Sequence, residues 1–339
     1  MEKNKIQSIS LEVIKVLKKR FDNFPENSQS NRNAPFHIAF LNAFKEKIET
    51  NLDIPYLISL SSWLHGLNTT LGQIFFENIA HILSDGEKRI FKNYNITEEQ
   101  QKAISEIITD LKNGITTPNI EKEEQLIYKK GVKEISGTNF TADNFVITDK
   151  YIEAIELKSV HQNSGEMKGE KLKILNAKTI LKNIYPDKEI RFFIGFPFDP
   201  LNNHNPTGYD KKKFIESIIE FKKFFDEKEI LLADEMWNRL SGEENTMGII
   251  LKIINDIAKS NWIDNFNFIN DPLNFEKNSN KYNNILGQWN LYDEMSIFKY
   301  SQKLKEFNQK IFNNSLFDEE GKYNINRSNI LLKAIYDFI

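Results

Sequence analysis

Three residues near the middle of this 339-residue chain, Asp143, Glu156 and Lys158, have types and spacing suited to holding a metal ion and working beside it. Two short apolar runs, residues 144–148 and 151–160, flank the polar pair Asp149-Lys150, a strand–turn–strand pattern. With those two residues as the turn, Thr148 pairs with Tyr151, and the same register sets Asp143 opposite Glu156. Side chains alternate along a strand, so Glu156 and Lys158 share one face while Ile155 and Leu157 point the other way. Two carboxylates brought together repel unless a cation stands between them. Hard divalent ions take such oxygen ligands. Glu156-Leu157-Lys158 also ends an apolar strand, where an ion pair is costly without a purpose. The plainer alternative is an edge strand whose polar face is merely solvated.

Neighbouring blocks sharpen this reading. SGEMKGEKLKILNAK (residues 164–178) follows the pattern, NTTLGQIFFE (68–77) precedes it, and LLADEMWNRLSG (231–242) lies downstream. Together with Asp143 and the Glu-Leu-Lys strand, they resemble the TdeIII-type family of type II restriction endonucleases, within the PD-(D/E)XK nucleases, over about residues 30–255 in order. The resemblance implies Mg²⁺-dependent hydrolysis of double-stranded DNA at a short specific sequence. Asp143, Glu156 and the backbone carbonyl of Leu157 would then be metal ligands. Lys158 would position or polarise the attacking water and stabilise the transition state. Such nucleases often add an acidic group from a helix before the sheet, and Glu77 has that position, with an exposed helical glutamate as the alternative. A homodimer on a palindromic site, and a cognate DNA methyltransferase completing a restriction–modification system, are also implied. Ala233-Asp234-Glu235 departs from the family pattern, so no role passes to Asp234 or Glu235. A DNA-repair nuclease of the same superfamily, or a DNA-binding protein that does not cut, would share these features.

The surrounding elements must position the three residues. Residues 5–20 have the spacing of an amphipathic helix, 23–35 read as a loop, and a second helix is expected over 35–49. Residues 69–83 carry an apolar stripe, with Asn68 placed as N-cap and Gln73, Glu77 and His81 in one line along the helix. Thr97 to Gln100 has capping-box spacing and opens a helix that Asn113-Gly114 ends. Residues 126–128 suggest a short strand, and Glu121, Glu123 and Glu124 a solvated face. After the hairpin, residues 162–169 read as a loop and 170–184 as a helix. Its stripe Ile174, Ala177, Leu181 and Ile184 would face the sheet and leave Lys171, Lys178 and Lys182 to solvent. Lys168, Lys171 and Lys173 leave the same end of the strand as Lys158, so phosphate contact is a reading for them beside simple solubility. Strands over 190–196 and 229–233, with helices over 211–226 and 247–258, then imply an α/β (α+β) fold. Its mixed sheet has helices on both faces.

The resulting division is a helical segment over 1–60, a nuclease-like core over 61–260 and a mainly helical region over 261–339, with helices near 294–311 and 328–338. Forty per cent hydrophobic residues and 26 phenylalanines suffice for a sizeable core. The absence of cysteine excludes disulfides and thiol chemistry. No signal segment or membrane-length apolar run is present, which points to a cytoplasmic protein. A net charge of −3 requires that any DNA-binding surface be built by local segregation of lysines. One rival signal exists. His204-Asn-Pro-Thr-Gly208, followed by Ala233-Asp234-Glu235, imitates a pyridoxal-phosphate aminotransferase, but no Ser-X-Ser-Lys-like loop follows, and the four-residue match is also a plain turn.

Overall fold

The computed structural model describes residues 1–25, 41, 54–158, 164–202, 205–218 and 221–338. The helix expected over 35–49 lies almost wholly outside them. Two compact units form: Met1–Phe75 together with Ile250–Ile339, and Phe76–Ile249. The first is helical, with α1 (Lys3–Asp22) and α2 (Ile54–Thr70) from the early chain. Its late chain carries helices at Trp262–Asn270, Asn274–Lys277, Ser279–Gln288, Tyr292–Lys299, Ser301–Phe312 and Ile325–Phe338. Gln7 of α1 donates to Asp293 at 2.7 Å, and buried Arg327 pairs with Glu294 at 2.7 Å, tying the two ends of the chain into this unit.

The second unit holds every residue singled out for chemistry. Its strands are β1 (Glu87–Phe91), β2 (Asn95–Thr97), β3 (Glu134–Ser136), β4 (Phe140–Ile147), β5 (Tyr151–Leu157), β6 (Glu189–Phe196) and β7 (Ile230–Leu232). Its helices are α3 (Phe76–Ser84), α4 (Glu98–Asn113), α5 (Ile120–Ile127), α6 (Ser164–Ile184), α7 (Lys211–Ser217), α8 (Phe221–Phe224) and α9 (Asp234–Ser241). Five strands form one mixed sheet in the order β1-β4-β5-β6-β7. The pairs β1/β4 and β4/β5 are antiparallel, and β5/β6 and β6/β7 are parallel. Parallel neighbours need a crossover, and α6 supplies it between β5 and β6. Helices cover both faces. Glu153 and Glu156 point to opposite sides of β5, and Glu153 pairs with Arg239 of α9 while Glu156 pairs with Lys173 of α6.

The register of the hairpin is the one read from the sequence. Asn144 pairs with Ile155 and Ile147 with Ile152, and the Thr148 amide donates to Tyr151 O at 2.9 Å around the Asp149-Lys150 turn. Core packing explains why it is fixed. Phe140, Ala142, Phe145, Ile152, Ala154 and Ile155 are all buried, and a one-residue slip would move this set onto the opposite faces. Phe91 stacks on Phe140, centroids 4.6 Å apart, and carries the packing to β1.

Several local expectations need correction. Helix runs back to Ile54, so Asn68 is an interior residue and not a cap; the apolar stretch 54–64 lacks the polar face that would have marked a helix. A single π-helical turn, Leu71–Phe75, separates α2 from α3. Residues 126–128 end α5 and are not a strand, because Asn119 caps that helix by accepting from the Lys122 amide at 2.9 Å. Glu123 is not solvated; it is buried against Lys171 at 2.6 Å. The helix placed over 211–226 is split into α7 and α8, although Phe214, Ile218, Phe221 and Phe225 are buried as expected. Strand β1 carries no strand signature in the sequence, because Glu87, Lys88 and Arg89 break any apolar alternation.

Candidate active site

The chemistry-bearing residues converge at one end of β4 and β5, and α3 and α6 complete the cluster. Extending the β4/β5 register by one step sets Asp143 across from Glu156. One Asp143 carboxylate oxygen, Oδ2, accepts the Leu157 amide at 3.0 Å, which binds the aspartate side chain to the neighbouring strand. Lys158 follows β5 and continues its pairing, its amide donating to Gly195 O at 2.9 Å. Gly195 has to be glycine-sized here. An added Cβ would lie 2.7 Å from Met236 Sδ and 2.9 Å from Ile155 Cγ2.

A bulge sets the position of Asp143. Between β1 and β4 the register runs Glu87 with Phe145 and then Arg89 with Ala142, so Asp143 and Asn144 together oppose the single residue Lys88. Helix α3 holds both bulge residues. His81 Nε2 donates to Asp143 O at 2.7 Å, which requires the proton on that nitrogen. Ser84 Oγ donates to Asn144 Oδ1 at 2.9 Å. Glu77, His81 and Ser84 are spaced four and three apart, so one face of α3 meets the bulge.

Four carboxylates and three lysines occupy this end of the sheet. Lys88 Nζ lies 2.9 Å from Glu77 Oε2 and 3.4 Å from Asp143 Oδ1. Lys158 Nζ lies 3.0 Å from Glu156 Oε1 and 2.8 Å from Glu170 Oε1. Lys173 Nζ reaches Glu156 Oε2 at 2.7 Å. Burial alone would lower the Lys158 pKa, but Glu156 and Glu170 outweigh it and hold the ammonium above the usual lysine range. A charged ammonium donates hydrogen bonds and steadies negative charge, but it cannot accept a proton. Lys88 is likewise held high, chiefly by its hydrogen bond to Glu77.

The donor set suits a hard cation. It consists of carboxylate oxygens with the Leu157 carbonyl on the same strand end, and no sulfur is present in the chain's side chains apart from methionine. Buried Glu170 Oε2 has no hydrogen-bond partner, and buried Glu156 Oε2 has none of good geometry despite the nearby Lys173. Among the described residues no three acidic or imidazole groups stand close enough to enclose an ion as they are; ammonium groups separate them.

The sequence-derived residues therefore divide. Asp143, Glu156 and Lys158 come together, and Glu77 joins them through Lys88. Lys173 meets a site carboxylate instead of facing outward, and Lys168 is exposed on α6. Lys171 is fully buried, between Glu123 at 2.6 Å and Glu229 at 2.8 Å, so it has no path to a phosphate. Helix α6 begins at Ser164 and is enclosed from Ile174 to Leu181, and Lys171 and Lys178 fall on its inward face. Glu170 and Lys88 were missed. Glu170 had a signal, lying in the block after the Glu-Leu-Lys strand; Lys88 had none, because its strand was unread. In the rival aminotransferase motif, the Thr207 amide donates to Asn205 Oδ1 at 3.1 Å in a turn. Asp234 there accepts the Met247 amide at 3.0 Å, in the first turn of the helix Thr246–Ile257.

Comparison with known proteins shows the family of the chain. A family model described as "Type II restriction endonuclease, HinfI" matches residues 1–258. The type II restriction enzyme MjaII of Methanocaldococcus jannaschii is 46% identical over 361 residues, covering 98% of this chain and 97% of that one. The chain is thus a type II restriction endonuclease, an enzyme that cleaves DNA at specific sites. Within that class it belongs to the HinfI family, where its motif blocks had suggested the TdeIII-type enzymes. Among the described residues no helix is long and apolar enough to cross a membrane.

Proposed function

We propose that the chain cuts double-stranded DNA with a PD-(D/E)XK site in which Asp143, Glu156 and the Leu157 carbonyl hold Mg²⁺ and Lys158 acts on the attacking water. The observation that carries this reading is the hairpin register, which sets Asp143 across from Glu156 with Lys158 two residues further along. The bound cation would lower the pKa of water and offset the charge gathering on the phosphate. Asp143 and Glu156 supply the negative charge that retains it, and the Asp143 bond to the Leu157 amide keeps the two strand ends in register. Lys158, kept cationic by Glu156 and Glu170, orients water through N–H donation and stabilises the developing oxyanion. Glu77 adds a further carboxylate from α3.

A palindromic target would call for a homodimer, since each subunit cuts one strand of a two-fold site. In the cell a methyltransferase of the same specificity would protect the host DNA, and both would work in the cytoplasm. The test uses Asp143→Asn, Glu156→Gln and Lys158→Met. Each should retain specific DNA binding by gel shift in Ca²⁺ while plasmid cleavage in Mg²⁺ is lost. Wild-type cleavage by Glu156→Gln would remove the metal role assigned to that residue. Discrete bands from a DNA of known sequence mark site-specific cutting, whereas a smear would mark a non-specific nuclease and intact DNA a mere binder.

A further inference from the structure

Lys88 occupies a place that neither the sequence motif nor the catalytic assignment explains. Its ammonium contacts both Glu77 oxygens, at 3.1 and 2.9 Å, and Asp143 Oδ1 at 3.4 Å. The three groups come from three elements, β1, α3 and β4, and the β4 bulge is what brings Asp143 level with Lys88. The two carboxylates are largely enclosed, with side-chain exposures of 17% and 15%, whereas the lysine side chain is 46% exposed. The carboxylates are thus held by their elements, and the lysine is the group with freedom to leave.

We propose that Lys88 is a built-in counter-ion that occupies Glu77 and Asp143 until a divalent cation displaces it, so that it competes directly with metal loading. This rests on the reading of Asp143 as a metal ligand. Two like charges at one site need a cation between them. An ammonium meets that need with N–H donors near 3 Å. A divalent ion meets it with oxygen bonds of about 2.0–2.6 Å, and an ammonium left on the same carboxylates would repel that ion across a few ångströms. When metal arrives, the flexible Lys88 stem swings toward solvent and Asp143 is freed from its counter-ion, while its second oxygen stays on the Leu157 amide. The lysine therefore sets the cation concentration at which the site fills.

The experiment measures Mn²⁺ uptake by the full chain without DNA, following free Mn²⁺ by electron paramagnetic resonance and the binding heat by calorimetry. Lys88→Met should bind Mn²⁺ more tightly than wild type, on the order of tenfold, the scale of one charge-assisted hydrogen bond. Lys88→Arg keeps the cation and should bind no more tightly than wild type. Lys92→Met removes the same charge from an exposed position just past β1 and should leave uptake unchanged. Lys88→Gln gives the same readout if the methionine variant does not fold, as judged by circular dichroism. Equal or weaker Mn²⁺ binding by the folded Lys88 variants would overturn the proposal, as would equal tightening by Lys92→Met. Asp143→Asn and Glu156→Gln test the underlying site separately, because their loss of Mn²⁺ binding is expected whether or not Lys88 competes. No uptake by any of these chains would overturn both.

Discussion

Replacing Lys171 by methionine decides between the two roles open to it, phosphate contact and core ion pair. The structure favours the second: the side chain is wholly buried, with Glu123 at 2.6 Å and Glu229 at 2.8 Å. Burial tends to lower the Lys171 pKa, but Glu229 and Glu123 overcome it and raise the pKa above the usual lysine range. A methionine fills much of the same volume, so the loss is mainly electrostatic, leaving two buried carboxylates without their cation. Removing one partner of a buried pair typically costs about 3–5 kcal/mol. The lower end applies here, since Glu229 keeps the Asp226 amide at 3.0 Å and has Lys178 at 3.9 Å, and Glu123 keeps the Asn119 amide at 3.2 Å. Urea titration at pH 8 should register that loss. The deficit should shrink toward pH 5: Glu123 is already held high by burial, and without the ammonium it binds a proton more readily folded than unfolded. In the wild type, Lys171 contributes its stability below the ordinary lysine pKa and loses it as pH rises through the raised folded value. DNA affinity is the second readout. A phosphate-contact lysine would reduce the slope of log K against log salt by about 1, and no such change is expected. A loss below about 1 kcal/mol together with a reduced salt slope would refute this account of Lys171.

Two further outcomes follow from the same geometry. Glu170→Ala should lower the cleavage turnover by up to about 10²-fold with little change in KM, because Lys158 loses the oxygen 2.8 Å away that positions it. Glu170→Gln, which still offers an acceptor, should recover much of that rate; equal defects in both variants would argue against positioning. Ala233, between β7 and α9, has φ 52° and ψ −127°, a region glycine tolerates far better. Relieving about 1–3 kcal/mol of strain against a buried methyl of about 0.8 kcal/mol, Ala233→Gly should raise the urea midpoint by about 1 kcal/mol equivalent. A fall in the midpoint would show that the methyl's packing dominates.

The hairpin was legible because three independent signals agreed: alternation, a two-residue polar turn, and carboxylates placed where an apolar strand ends. The capping box at Thr97 was equally plain, and both of its bonds are made, the Thr97 amide to Gln100 Oε1 at 3.0 Å and the Gln100 amide to Thr97 Oγ1 at 3.3 Å. Such features are local, so the sequence carries them whole. What failed depended on distant partners. Lys171 and Lys178 look like solvent-facing lysines until Glu229 and Glu124, which come from elsewhere in the chain, arrive beside them. Strand β1 has no apolar alternation of its own, and it forms because β4 offers an unpaired edge and Phe91 packs on Phe140. Without β1 neither Lys88 nor the bulge can be placed, and these are the features that set an ammonium between Glu77 and Asp143.

That self-neutralisation bears on how an acidic chain can act on DNA. Glu77, Asp143, Glu156 and Glu170 would by themselves repel a polyanion at the proposed site of cutting. Lys88, Lys158 and Lys173 cancel most of that charge without any metal. On the metal role proposed above, a divalent cation would do more than activate water. By taking over the carboxylates it would free the ammonium groups paired with them, and the same surface would turn from nearly neutral to positive. Metal loading and phosphate attraction would thereby be coupled through one set of ion pairs. Such coupling would reconcile a net charge of −3 with nuclease function: the basic surface need not pre-exist along the whole chain, because the cation would create it at the proposed site.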